Sequence, residues 1–448
     1  MVRLDAVEEV AASLGLDGLL LGGEMGPAEC ASFLRSWLGR CTRLHDPRYL
    51  GHQVAVPRWP APLADLVHAV TNNGMAVYEM GPPAVAAELA VLRWMLSFLG
   101  WEEEGGGVLT HGGSLANLTA LLAARAHAAP EAWTEGLPGD LVLLAPESCH
   151  YSVARAAGIL GLGQRRLRRL PCDALGRLTP EGLEGDLHRA REEGLRPMAV
   201  VANACATATG LHDPLEETAA LCREAGVWFH VDAAHGASAL LSPRLRERLR
   251  GIEAADSLVW DAHKMLGVST LCAAVLVRRD EDLPRAFQQQ ADYLREEQDR
   301  GPGPDLILRA VECTKAALGL KVLLNLAAHG TAGLAETVEI LYGLARDLHR
   351  RIQARPAFET PFEPESNIVL FRWTGGPGDL DRMQRRLRRA LMEEGGFYLS
   401  GASFQGRRWL RATVMNPATT GEHFERLLDR VEALASAMLD ETRRTGIG

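Results

Sequence analysis

The chain has 448 residues, of which 47% are hydrophobic and 23% are charged. This length allows two or three domains with an ample core, and the composition is that of a soluble globular protein. The formal net charge of -9 gives no support to nucleic-acid binding by bulk electrostatics. No apolar stretch reaches the roughly 18 residues of a membrane span, and an acidic residue at Asp5 does not fit a secretory signal. We therefore expect a cytoplasmic protein without nucleic-acid or membrane partners.

The eight cysteines are scattered and include no Cys-x-x-Cys pair. Scattered cysteines of this kind are typical of buried thiols in a reducing compartment. The sequence therefore predicts neither a disulfide framework nor a metal site.

Three regions follow one another along the chain. Residues 1–70 have helical patterns interrupted by proline and glycine, which predicts an N-terminal segment. In residues 71–329 short apolar runs alternate with helical stretches, which predicts an α/β domain with a largely parallel sheet. Its predicted strands are Asp140–Ala145, Met198–Ala202, Val227–Val231 and Cys272–Val277. Residues 330–448 are predicted to form a small C-terminal domain with a long helix, a strand at Asn367–Arg372 and a closing helix near His423–Leu439.

Lysine is rare in this sequence, which has three lysines and 45 arginines. Lys264 closes the segment Ala254–Lys264, and Asp232 closes an apolar run 32 residues upstream. A lysine that can form an imine, preceded by an aspartate at the end of a strand, is the minimal arrangement of a pyridoxal phosphate enzyme. The lysine would hold the cofactor aldehyde as a Schiff base. The aspartate would keep the pyridine nitrogen protonated, because an opposite charge nearby favours the charged form.

Both residues also have an ordinary interpretation. A lone lysine is usually a solvated surface charge, and an aspartate at the end of a strand is usually a turn or cap residue. Lys315 and Lys321 fit that interpretation, because they lie six residues apart in what reads as a helix with its charges outward. Lys264 differs from them because other segments supply partners for it.

Three further segments contain groups that suit a phosphate and an aromatic ring. The segment Gly112–Ser114 precedes an alanine-rich helix, and such a helix start favours an anion, although a simple turn with a cap has the same pattern. His150 and Thr207 follow predicted strands, where α/β domains bind ligands. His150 could stack on a pyridine ring or only cap a helix, and Thr207 could support the cofactor face. His263, next to the lysine, could hydrogen-bond the phosphate or the substrate.

Taken together, four ordered motifs resemble those of the group II pyridoxal-phosphate decarboxylases, which include aromatic amino acid, glutamate, cysteine sulfinate and 2,4-diaminobutyrate decarboxylases. They are Gly-Gly-Ser-x-Ala-Asn, Ser-x-His-Tyr-Ser, His-Val-Asp-Ala-Ala and Ala-Asp-Ser-x-x-Trp-x-x-His-Lys. The resemblance extends from about His45 to Thr420. It implies fold type I, with a large, mostly parallel, seven-stranded-type sheet domain and a small C-terminal α+β domain. It also implies a homodimer with the active site at the subunit interface.

The resemblance assigns roles to individual positions. Lys264 would be the Schiff-base lysine, Asp232 the pyridinium partner, and His150 and Ala234 would lie against the two faces of the ring. The residues around the phosphate would be Gly113, Ser114, Asp261 and His263. Those on the substrate side would be His52, Gln53 and Asn73, the last within the segment Asn72–Met75.

One position departs from the family pattern. The family has a tyrosine on a mobile loop that protonates the carbanion left after carbon dioxide departs. In the loop Tyr293–Ile307 the corresponding position falls on Pro304 or Leu306, and neither side chain can donate a proton. The core of this loop, Gly301–Pro304, is predicted to be mobile because glycine permits many backbone states.

We predict that the protein decarboxylates an L-α-amino acid to an amine with pyridoxal 5'-phosphate as cofactor. A second hypothesis keeps the cofactor but ends in oxidative deamination to an aldehyde or in another carbon-carbon lyase reaction. A third is a non-catalytic binding subunit, against which Lys264 and Asp232 count, because a binding module needs no such pair.

Overall fold

The computed structural model describes residues 5–22, 25–288 and 302–445, which form two compact units. The large unit contains Gln53–Arg346 and Pro364–Ile368, and the small unit contains the chain up to His52, Asp347–Glu363 and the chain from Val369. These limits differ from the predicted boundaries after residues 70 and 329. The Ala55 and Arg58 amides donate to the carbonyls of His263 and Gly267 within the large unit, and a helix runs across residue 329.

The large unit is built on a seven-stranded sheet of order β2-β8-β7-β6-β5-β3-β4. Its strands are β2 (Gly106–Thr110), β3 (Leu141–Pro146), β4 (Leu167–Leu170), β5 (Arg196–Asn203), β6 (Trp228–Asp232), β7 (Ser257–Asp261) and β8 (Ala273–Val277). Strands β7, β6, β5, β3 and β4 are parallel, and β8 is antiparallel to both of its neighbours. The inner strands are mostly apolar because helices cover both faces of a sheet of this kind, whereas the edge strand β4 reads Leu-Arg-Arg-Leu. The predicted large, mostly parallel sheet is confirmed.

The large unit also contains helices among its described residues. They are α4 (Leu63–Thr71), α5 (Pro82–Ser97), α6 (Gly113–Ala128), α7 (Tyr151–Ile159), α8 (Pro180–Glu192), α9 (Leu215–Ala225), α10 (Asp282–Ala286) and α11 (Leu318–Gln353), the last of which ends in the small unit. Helix α6 lies across β5, β6, β7 and β8. Its alanines, including Ala116 and Ala120, are fully buried, and their small side chains allow the close approach.

By length and composition alone, α11 could cross a membrane. Gly330 interrupts the helix with a φ of 63°. After this kink, the buried side chains Leu334, Val338, Leu341 and Ala345 recur at helical spacing. This is the apolar stripe of a core helix in a folded protein.

The small unit contains a five-stranded sheet of order β1-β11-β12-β10-β9. Its strands are β1 (Tyr49–Leu50), β9 (Phe358–Glu359), β10 (Ile368–Trp373), β11 (Tyr398–Phe404) and β12 (Arg407–Thr413). Strands β11 and β12 are joined by Gln405 and Gly406, whose positive φ values of 49° and 68° suit a tight hairpin turn. Its helices are α1 (Val7–Leu14), α2 (Leu16–Gly22), α3 (Pro27–Arg40), α12 (Leu380–Glu393) and α13 (Gly421–Thr445).

Two predictions about polar residues were wrong in part. Lys315 and Lys321 do not point outward, because both are buried and pair with Glu88 and Asp65, respectively. All eight cysteines are free thiols, as expected, but Cys30, Cys41 and Cys313 are exposed. A residue's spacing on a helix cannot show which neighbour covers it.

Candidate active site

Strands β3, β5, β6 and β7 run in the same direction, so their carboxyl ends meet at one edge of the sheet. Ligands of open α/β sheets bind at this edge. The last residues of these strands are Pro146, Asn203, Asp232 and Asp261. The segments that follow them contain most of the predicted site residues.

Lys264 lies in the turn that follows β7. Its amide donates to the Asp261 carbonyl at 3.2 Å, and its Nζ lies 3.1 Å from Asp261 Oδ2. The lysine side chain is 17% exposed, so it is not fully enclosed by the protein. The other oxygen of that carboxylate, Oδ1, is buried and has no hydrogen-bond partner within the described part of the chain. A buried acceptor of this kind suits a site that is completed by a bound polar group.

Asp232 is 7% exposed, and two donors hold its carboxylate. Asn117 Nδ2 donates to Oδ2 at 2.9 Å, and the Ala234 amide donates to Oδ1 at 3.3 Å. The Ala234 carbonyl in turn accepts from the Asp261 amide at 3.0 Å. These bonds tie the ends of β6 and β7 together and fix the direction of the acidic side chain.

His150 is the N-cap of α7, after β3. Its Nδ1 lies 2.7 Å from Ser152 Oγ and accepts from the Ser152 amide at 3.3 Å. Burial lowers the pKa of His150, while the charge of Asp232 opposes the shift and that of Lys264 adds to it. The imidazole is therefore within the electrostatic field of both residues.

Helix α6 begins at this edge with Gly113 and Ser114 in its first turn. A Cβ added at Gly113 would lie 2.8 Å from Asp261 Oδ2, so glycine is needed for the close approach. The free amides of a helix start attract an anion. His263 lies next to them, with Nδ1 2.8 Å from the Cys272 carbonyl oxygen and Nε2 3.7 Å from Asp261 Oδ2. Asp261 would repel a phosphate, so its contacts favour a role as partner of Lys264.

Four predicted residues are not connected to this group by the contacts described. Thr207 lies in the turn after β5, and Asn73 follows α4 and donates to the Thr71 carbonyl at 3.2 Å. His52, in the small unit, has Nε2 3.2 Å from the Tyr398 hydroxyl oxygen. The Gln53 side-chain nitrogen is buried without a hydrogen-bond partner among the described residues. Their roles stay predictions.

Sequence reasoning missed three polar residues beside the site, Asn117, Ser152 and His230. Each belongs to one of the four motifs, so its position in the motif was the available signal. All three are buried and hydrogen-bonded to one another or to a predicted site residue. Nothing in their residue types distinguishes them from capping or core polar residues.

The sequence profile of a family described as "Pyridoxal-dependent decarboxylase conserved domain" matches residues 35–374. The chain belongs to this family. Acidic amino acid decarboxylase GADL1 from Mus musculus is 31% identical over 414 residues, which cover 88% of this chain and 75% of that protein. The Homo sapiens protein of the same name is 31% identical over 428 residues, covering 92% and 82%.

Solved structures agree with these sequence matches. The crystal structure of mouse CSAD has a TM-score of 0.90 at 29% identity and covers 97% of this chain and 93% of that chain. The fold is therefore that of the fold type I pyridoxal-phosphate decarboxylases, as predicted. The protein is a pyridoxal-phosphate-dependent amino acid decarboxylase, a carboxy-lyase. Decarboxylation is thus favoured over the oxidative, other lyase and non-catalytic hypotheses.

The loop without the family tyrosine is described only at its downstream end. Residues 289–301 lie outside the described residues, and the predicted mobility of Gly301–Pro304 stays a prediction. Gly303 packs against the Tyr78 ring, and the Asp305 carboxylate accepts from the Tyr78 amide at 2.7 Å. Leu306 is 1% exposed in a small apolar cluster. Of the two positions assigned to the tyrosine, Pro304 is the one that is not buried.

Proposed function

We propose that Lys264, Asp232 and His150 are the residues that perform the decarboxylation. The observation that supports this proposal is their convergence at one sheet edge, with Lys264 and Asp232 joined through Asp261 and Ala234. Lys264 would hold the cofactor aldehyde carbon covalently until the substrate amine replaces it. Asp261 would orient the lysine amine for that exchange, because it lies 3.1 Å from Nζ.

Pyridoxal phosphate, when bound, supplies a ring that accepts the electron pair released as carbon dioxide leaves. The residues present fit such a group. The Asp232 carboxylate would pair with the protonated pyridine nitrogen, and a negative charge there raises that nitrogen's affinity for its proton. His150 and Ala234 would lie against opposite faces of the ring. Thr207 would support the same cofactor from the turn after β5.

The phosphate would bind at the start of α6. The amides of Gly113 and Ser114, the Ser114 hydroxyl and His263 are suitable donors there. The helix dipole adds a favourable field for a dianion. Asp261 would then pair with Lys264 and would not contact the phosphate directly.

We further propose that the substrate is an acidic L-amino acid. Two relatives with 31% identity, each covered over three quarters or more of its length, are named acidic amino acid decarboxylases. His52, Gln53 and Asn73 are the proposed substrate-side residues. Carbon dioxide release from L-aspartate and L-glutamate should exceed release from L-lysine and L-tryptophan. Preference for one of the latter pair would exclude this substrate class.

Covalent attachment at Lys264 can be tested directly. Borohydride reduction of the cofactor-loaded protein, followed by peptide mapping, should place the pyridoxyl group on Lys264. Lys264→Ala should lose both this label and turnover, whereas Lys321→Arg should keep them, because Lys321 already pairs with Asp65 at 2.7 Å. A label on Lys315 or Lys321 would show that the site has been assigned wrongly.

We also propose that the protein is a homodimer and is located in the cytoplasm. Helix α4 exposes Leu63, Leu66, Val67 and Val70, with exposed fractions of 36%, 60%, 46% and 78%. Positions i, i+3, i+4 and i+7 form one stripe of a helix, and such a stripe is usually buried. A second copy of the chain is the partner that we propose for it. Fractionation of cells with an antibody to this protein tests the compartment.

A further inference from the structure

A line of buried polar side chains ends at His150 and contacts Asp232 through one of its members, Asn117. Its members are Trp228, Ser257, His230, Asn117 and Ser152, and each is at most 2% exposed. Consecutive members lie at hydrogen-bonding distance. Because each buried donor needs an acceptor, the position of every proton in this line can be deduced.

The direction is set at Asp232. Asn117 Nδ2 lies 2.9 Å from Asp232 Oδ2, and only the amide nitrogen can donate to a carboxylate. The Asn117 oxygen therefore faces His230, whose Nε2 is 2.9 Å away and must be the donor. If the amide were flipped, two acceptors would face each other at the aspartate.

The hydrogen bonds at the Trp228 end of the line also require that His230 has its proton on Nε2. The Trp228 indole can only donate, and it does so to Ser257 Oγ at 2.8 Å. The serine hydroxyl is then available to donate to His230 Nδ1, 2.9 Å away. Complete burial lowers the pKa of His230, which keeps the ring neutral with one proton. That proton is on Nε2 by both arguments.

The second hydrogen of the Asn117 amide points to Ser152 Oγ at 2.9 Å. The Ser152 hydroxyl, having accepted this bond, donates to His150 Nδ1 at 2.7 Å. The Ser152 amide donates to the same nitrogen at 3.3 Å. His150 Nδ1 is therefore an acceptor, and neutral His150 has its proton on Nε2.

We propose that Asn117 is a positioning residue for both Asp232 and His150. It holds the carboxylate directly, and through Ser152 it fixes the imidazole tautomer that leaves an N–H on Nε2. Nδ1 is occupied by Ser152, so among the described residues the Nε2 N–H is the group of the ring that can donate to a bound molecule. This inference rests on the proposed roles of Asp232 and His150, but the proton positions can be measured without turnover.

The test uses the cofactor-loaded protein with ¹⁵N-labelled histidine, and NMR to identify the protonated nitrogen of each ring. The signals are assigned with His150→Gln and His230→Gln. Wild type should have both protons on Nε2 at neutral pH. Ser152→Ala should give a mixed tautomer at His150 and leave His230 unchanged. Asn117→Leu should alter both rings and raise the dissociation constant for pyridoxal phosphate about tenfold, the scale of one lost bond to a charged group.

The matched control is Ser238→Ala. Ser238 is fully buried and accepts from the Trp260 indole at 2.9 Å, as Ser257 accepts from Trp228, but it lies outside the line. It should leave both histidine tautomers unchanged. A wild-type proton on Nδ1 of either ring would overturn the inference, and this result does not depend on how well any variant folds. Unchanged histidine tautomers in Asn117→Leu would also overturn it. Failure of cofactor trapping at Lys264 would instead overturn the proposed function and leave the tautomers as measured.

Discussion

At the residue scale, the Asp232 carboxylate has two hydrogen-bond donors but no cationic partner among the described residues. Asn117 and the Ala234 amide bind its carboxylate, yet no described cation pairs with it within 4 Å. A buried carboxylate without a cation is costly unless a positive group completes it. This supports a protonated pyridine nitrogen as its missing partner.

Asp232→Asn should therefore fold and bind cofactor but lose turnover by at least about 10²- to 10³-fold, the scale of removing one electrostatic stabiliser. Turnover per cofactor-loaded protein is the measurement. Asp256→Asn is the matched control, because the Asp256 carboxylate also accepts from a backbone amide, that of Phe229, at 2.8 Å. Asp256 lies just before β7, at the end of the strand opposite to the site. Near-normal turnover in Asp232→Asn would contradict the proposed charge pair.

His230 gives the protein a specific sensitivity to acid. Burial lowers its folded-state pKa, so the unfolded chain binds a proton that the folded chain resists. The stabilising effect of the neutral ring is complete above the unfolded pKa of about 6.5 and is lost as the pH falls below that value. The free energy of unfolding should then fall by up to about 1.4 kcal/mol per pH unit from this group.

His230→Gln should reduce this slope in denaturant unfolding measured between about pH 6.5 and pH 5. His188→Gln serves as the control, because the His188 side chain is 72% exposed and pairs only with Glu192 on the same helix. It should leave the slope unchanged. An equal slope in wild type and His230→Gln would mean that this histidine is not held neutral.

At the element scale, the start of α6 is held close to the end of β7 by a glycine. Gly113→Ala would place a Cβ 2.8 Å and 2.9 Å from the two Asp261 oxygens, so the carboxylate must move. Asp261 contacts Lys264, and we expect cofactor affinity to fall about tenfold or more, or about 1.4 kcal/mol. Spectroscopic titration with pyridoxal phosphate measures it.

Gly158→Ala is the matched control for this substitution. Gly158 lies within α7 and has open space where a Cβ would be added. Alanine there should stabilise the protein by roughly 0.5–1 kcal/mol and leave cofactor affinity unchanged. If Gly113→Ala also binds cofactor normally, the helix start is not the phosphate site.

We hypothesise that the loop without the family tyrosine affects the fate of the substrate carbanion. With no proton donor at Pro304 or Leu306, His150 or a water held by it would protonate the carbon after carbon dioxide leaves. Slower amine formation should follow, and in air some of the amino acid should react with oxygen and water to give aldehyde, ammonia, carbon dioxide and hydrogen peroxide. Pro304→Tyr should shift the ratio of products toward the amine.

Leu306→Tyr is a poor alternative to that variant, because Leu306 is 1% exposed and a larger side chain would strain its cluster. His150→Gln should lower the amine fraction if His150 holds the proton. Quantitative amine formation by wild type, with no change in His150→Gln, would place the donor elsewhere.

At the scale of the whole molecule, the apolar stripe of α4 is expected to be covered by a second copy. Leu66→Glu combined with Val70→Glu should convert the dimer to monomers and reduce activity, because two buried charges without partners destabilise an interface. Light scattering after size-exclusion chromatography measures the mass. Ile159→Glu, at a position 63% exposed outside α4, should leave the dimer intact. A wild-type monomer would refute the proposal.

The sequence by itself determined the fold class and predicted the central pair of residues. Alternating apolar runs and helices predicted the parallel sheet, because a strand covered on both faces must be apolar throughout. Asp232 ends one of these strands and Lys264 follows the next strand in the sheet. The carboxyl ends of parallel strands lie at the same edge of the sheet, so the two residues were expected to be close. Four motifs in order then identified the family.

Only the tertiary structure decided which polar side chains form hydrogen bonds and ion pairs with one another. The sequence spacing of Lys315 and Lys321 predicted that both are at the surface. Both are instead buried and paired with Glu88 and Asp65, which lie in distant segments of the chain. Likewise, Asn117 lies 115 residues before Asp232, and no pattern within one helix or strand shows that their side chains meet. Hydrogen bonds and ion pairs form between atoms a few ångströms apart, and only the folded chain brings such atoms together.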